Sequence, residues 1–97
     1  MKWPKKLKSD FAEKLEAFFQ LCANRIVQGE ARYGQVGPGK DYFVRIEREI
    51  RAYKITGNRE NLINAANYCS LEFYYPNLPF TYFDNRAKSA TRGKIGV

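Results

Sequence analysis

Residues 41–74, DYFVRIEREIRAYKITGNRENLINAANYCSLEFY, decide the fold. Asp41 is a good helix N-cap, and Tyr42, Phe43, Ile46, Ile50 and Tyr53 then recur on one helical face. Gly57 ends that helix and Asn58 caps the next, on which Leu62, Ile63, Ala66, Cys69, Ser70 and Phe73 share a face. Pro76 and Pro79 stop the pattern. Upstream, Ser9-Asp10 opens a longer helix that runs to about Tyr33, with Asp10 and Glu13 at capping-box spacing. Its apolar face is Phe11, Leu15, Phe18, Phe19, Cys22 and Ile26, while Leu21 and Val27 point away from it. No strand candidate competes with these helices, and no internal repeat is present. The expected fold is all-α: a three-helix bundle over residues 9–84, closed by an aromatic C-terminal wrap across Tyr74–Phe83. Its small core and off-face apolar residues point to an oligomer.

Charge divides the chain differently. The formal net charge is +7. Lys2, Lys5, Lys6 and Lys8 precede the first acid, and Arg86, Lys88, Arg92 and Lys94 follow the last. The chain therefore reads as a basic arm (1–8), a nearly neutral helical domain (9–84) and a basic tail (85–97). There is no histidine, which excludes Ser-His and Cys-His catalysis within one chain. Cys22 and Cys69 fit no zinc or redox spacing and read as reduced core residues. With no signal-peptide pattern and no membrane-length apolar run, cytoplasm is the expected compartment.

Several polar residues fall where apolar ones are expected. Glu49 lies within the apolar face of the second helix, and Glu47 lies at its edge. On the third helix Glu60, Asn64, Asn67 and Tyr74 form a stripe bordering the apolar face. Glu30 and Glu16 stand at similar positions on the first helix. A carboxylate facing a core is costly unless it is paired, coordinated or hydrogen-bonded. Two readings follow. Glu49 belongs to a polar network with Asn67, a tyrosine or an arginine, or Glu49, Glu60, Asn64 and Asn67 shape a ligand site, with Glu49 and Glu60 as metal ligands. Lys40 joins the ligand set through the loop Gly34–Lys40. That loop satisfies GxxxxGK, but a helix precedes it and Asp41 stands where Ser or Thr is needed, so it is not a phosphate-binding loop of that fold. Arg45, Arg48 and Arg51 read as the outside of the second helix.

Arg32-Tyr33-Gly34, then Ile46-Glu47-Arg48-Glu49-Ile50, then Gly57-Asn-Arg-Glu60-Asn-Leu62-Ile-Asn64-Ala-Ala-Asn67-Tyr68 resemble the MazG-like all-α nucleotide pyrophosphohydrolases and their small phage relatives. That resemblance implies a nucleotide-sized cleft and magnesium held by an ExxE and an ExxD pair. Here the corresponding helices carry Glu47-x-Glu49, and Glu60 with Asn64 in place of an acid. The reduced acid set favours binding or sequestering a phosphate-bearing nucleotide, such as a nucleotide signal, over hydrolysis. A magnesium-dependent pyrophosphohydrolase is the alternative, although no residue is assignable as catalytic. A further alternative is a nucleic-acid-binding or inhibitory phage accessory protein acting through its basic arms, with Trp3 among the lysines.

Overall fold

A computed structural model describes residues 2–34 and 37–84, and the side chain of Tyr33 lies outside that description. The expectations for Arg86, Lys88, Arg92 and Lys94 therefore fall outside the described residues. Three helices are present: α1 (Ser9–Tyr33), α2 (Tyr42–Thr56) and α3 (Glu60–Tyr74). There is no strand among the described residues.

The turn between α2 and α3 is tight. Gly57 takes φ 73°, the left-handed region that side chains with a Cβ avoid, and its N–H reaches the Tyr53 carbonyl. The Asn58 side chain accepts from the Glu60 N–H at 3.0 Å, which caps the first turn of α3. At the other end of α2, the Asp41 carboxylate accepts from the Val44 N–H at 3.3 Å. The capping box expected at the start of α1 does not form. Asp10 already lies inside the helix, and its carboxylate accepts from the adjacent Phe11 N–H. There it still favours the helix N-terminus by its charge.

α3 lies between the other two helices. It runs antiparallel to α2, with Tyr42 stacked on Tyr68 at 6.1 Å and Glu49 bonded to Asn61 and Asn64. It also runs antiparallel to α1, where Asn67 donates to the Cys22 carbonyl at 3.0 Å. α1 and α2 do not pack on each other among the described residues. The result is an open layer, α1–α3–α2, rather than a closed bundle, and the gap between α1 and α2 is a cleft.

The core is correspondingly thin: Cys22, Tyr42, Ala65 and Leu71 are its buried apolar residues among those described. Tyr42 is the anchor, at 1% exposure, with its hydroxyl donating to the Gly37 carbonyl. A ring buried that far contributes about 2–3 kcal/mol by removal from water alone. The apolar phase expected for α3 is displaced. Ala65 and Leu71 are buried, whereas Cys69, Ser70 and Phe73 are exposed, so Cys69 is not a core residue. A helix flanked on two sides buries the faces its partners reach, and here those faces carry asparagines beside Ala65 and Leu71.

The segment after α3 is tied down at Asn77. Its side chain donates to the Lys40 carbonyl and to Glu72, and its N–H donates to Glu72 at 2.8 Å. Phe83 meets the Phe73 ring edge-on at 5.9 Å. The other aromatics of this segment stay in solvent, Tyr82 at 84% exposure. At the opposite end, Trp3 folds back onto α1, stacking on Phe19 and donating to Glu16 at 3.3 Å. No described helix is long and apolar enough to cross a membrane.

Candidate functional site

The cleft has a volume of about 390 Å³ and draws on all three helices and the glycine loop. Each helix contributes a stripe at helical spacing. From α1 come Arg25, Gln28, Gly29 and Arg32, and from α2 come Tyr42, Arg45 and Glu49. From α3 come Asn64, Asn67, Tyr68 and Leu71, with Lys40 at the loop rim. Residues three, four and seven apart lie above one another on a helix, so each set shares one wall. Gly29 has no atom near the position a Cβ would take, which leaves that wall open.

Charge in the cleft is one-sided. Among the described residues the lining carries Arg25, Arg32, Lys40 and Arg45 with one carboxylate, Glu49, while Glu60 lies beyond Arg25. Glu49 is already engaged: one of its oxygens accepts from the Asn61 amide at 2.8 Å and from the Asn64 amide at 3.3 Å. The Arg25 guanidinium donates to the Asn64 carbonyl oxygen at 3.1 Å and to Gln28 at 3.4 Å, and it lies 3.6 Å from Glu60. The Arg45 guanidinium lies 5.8 Å from the centre of the Tyr68 ring, a cation–π distance. Tyr42, Tyr68 and Arg45 thus form a stack along the α2–α3 seam. Arg45 does not stand apart on the outside of α2; its charge is turned over the aromatic floor.

Of the residues expected at a site, Glu49, Asn64, Asn67 and Lys40 line the cleft together. Glu60 does not line it. It sits beyond Arg25, and its side chain is 51% exposed. Glu49 takes its partners from Asn61 and Asn64, whereas Asn67 is drawn to α1. Magnesium, implied by the resemblance, is not matched by these donors. No group of three His, Cys, Asp or Glu residues converges among the described residues. One Glu49 oxygen accepts two amides and Glu60 lies by Arg25, so these two carboxylates do not converge as the cluster of anionic oxygens this hard cation seeks.

Arg25, Arg32, Arg45 and Asn61 are additions. The spacing Arg25-x-x-Gln28-Gly29-x-x-Arg32 carries a signal, two guanidinium groups two turns apart on one face.

The chain matches no family model, no curated protein and no solved structure. The likeness to MazG-like proteins rests on the quoted residues alone.

Proposed function

We propose that the protein binds or sequesters a phosphate-bearing nucleotide in the cleft between α1 and α2. The observation that carries this reading is the cleft's composition among the described residues: Arg25, Lys40 and Arg45 beside tyrosine rings and amides, with Glu49 already accepting two amides. Guanidinium groups match phosphate oxygens in geometry and charge. Beyond their bonds to Glu49, Arg25 and the Cys22 carbonyl, the remaining amide groups of Asn64, Asn67 and Gln28 are the candidates to read a base edge or a ribose. The reading assigns no hydrolysis.

The same reading includes assembly with further copies of the chain. Leu62, Ala66, Cys69 and Phe73 repeat at four, three and four residues on the arc of α3 opposite the cleft. Phe73 is 59% exposed there, near Phe83. An apolar stripe of this kind on so thin a core favours burial against another subunit.

The test is a thermal-shift screen of linear and cyclic nucleotides on the full chain, since a ligand of the native state raises the melting temperature by mass action. At least one nucleotide should raise it, and Arg45→Gln should abolish most of the rise while leaving the helical circular dichroism spectrum unchanged. Neutralising Lys2, Lys5, Lys6 and Lys8 to Gln should weaken the effect only modestly. If no nucleotide shifts melting at saturating concentration, or if neutralising the arm removes the shift, the cleft is not the binding site.

A further inference from the structure

We propose that the cleft takes up the phosphates of its nucleotide without a divalent cation, and that Arg25 reaches them by exchanging Glu60 for phosphate. This rests on the nucleotide reading above and fixes how the site recognises its ligand.

Three acceptors are the candidate oxygens for a cation at this seam: Glu49, Glu60 and the Asn64 carbonyl oxygen. Each already faces an N–H donor. Glu49 receives two amides, Glu60 faces Arg25, and the Asn64 oxygen receives the Arg25 Nε–H. A magnesium ion would compete with these donors for the oxygens and would sit near guanidinium groups of its own sign, Arg25 and Arg45. A di- or triphosphate meets neither obstacle. Its charge is complementary to Arg25, Arg45 and Lys40 as they stand, and it brings its own acceptor oxygens.

Glu60 then acquires a role opposite to that of a ligand. Its contact with Arg25 is long, 3.6 Å, and both side chains are substantially solvated. Such pairs are weak. A phosphate offers more charge and a bidentate edge, and so displaces the carboxylate. Glu60 is therefore an internal competitor that holds Arg25 at the rim of the empty cleft and lowers affinity for anions.

The experiment is isothermal titration calorimetry of the full chain with inorganic pyrophosphate and with ATP, in EDTA and in millimolar magnesium. Both probes should bind in EDTA, and magnesium should weaken them by neutralising their phosphates. Glu60→Gln, a substitution at an exposed position, should bind both probes about three- to fivefold more tightly, the gain expected from releasing an exposed ion pair. Arg25→Gln should lose about tenfold. Binding that appears only on adding magnesium, or a Glu60→Gln protein that binds more weakly than wild type, overturns this proposal and leaves nucleotide binding intact. Failure of both probes in both buffers overturns it together with the nucleotide reading.

Discussion

The two faces of α3 differ in what holds them: one meets α1 and α2, and the other meets no helix among the described residues. The face that meets α1 and α2 carries Asn61, Asn64, Asn67 and Tyr68, each with a partner on another helix. The opposite face carries Leu62, Ala66, Cys69 and Phe73, which are half-buried or exposed. Amides line the seams beside the buried Ala65 and Leu71, and an apolar stripe points outward where no helix covers it among the described residues. This helix is held both by burial at Tyr42, Ala65 and Leu71 and by specific hydrogen bonds from its asparagines. Its stability should respond to single polar changes on one face and to protein concentration on the other.

The largest effect should come from the cleft side. Tyr42→Ala removes the buried ring that packs on Tyr68 and the hydroxyl bonded to Gly37. It should destabilise the protein by about 3 kcal/mol or more in urea titration, as for other buried aromatics. A loss below about 1 kcal/mol would mean that Tyr42 is not the anchor of the α2–α3 pair.

Asn67→Ala should cost less, about 1 kcal/mol, by deleting the bond to the Cys22 carbonyl that ties α3 to α1. Phe73→Glu, on the other face, should change the stability of the isolated subunit little. It should instead abolish the rise of melting temperature with protein concentration that assembly produces. If wild type shows no such concentration dependence, and light scattering finds a monomer at all micromolar concentrations, the outward stripe has another occupant.

The smallest perturbation is chemical. Cys69 is exposed on the outward face, whereas Cys22 is buried in the seam, where loss of hydration raises its thiol pKa. A neutral, shielded thiol is a poor nucleophile. Iodoacetamide at neutral pH should therefore label Cys69 well before Cys22, as read by peptide mass spectrometry. Equal rates would show that the α1–α3 seam opens readily.

The helices were legible in the sequence because their boundaries rest on local chemistry. Asp41, Gly57 and Asn58 act on their own turns, and the expected helix limits agree closely with those observed. The orientation of α3 was not legible in the same way. A hydrophobic wheel ranks faces by apolarity, and so selected the Cys69–Phe73 arc; which arc is covered depends on partner helices far away in sequence. Glu49, Asn64 and Asn67 were recognisable as misplaced polar residues, and they do meet at the helix seams. In sequence Arg45 reads as the outside of the second helix, and Arg25 and Arg32 are not placed at the site, because an arginine on a helix surface ordinarily reads as solvated; only the third helix brings the α1 and α2 walls around one cleft. Among the described residues the aromatic segment touches a helix ring at Phe83 on Phe73, while Phe80 and Tyr82 stay exposed.

Mapping a bound nucleotide by nuclear magnetic resonance tests the cleft most directly. The full chain, uniformly labelled with nitrogen-15, is titrated with the nucleotide that raises its melting temperature most. The side-chain amides of Asn64, Asn67 and Gln28 and the Arg25 and Arg45 Nε–H signals should shift together and saturate at one affinity, with the Phe73 backbone amide unmoved. Shifts confined to residues 2–8 and the C-terminal tail, with Asn64 and Asn67 unchanged at saturation, would contradict the account and place binding on the basic arms.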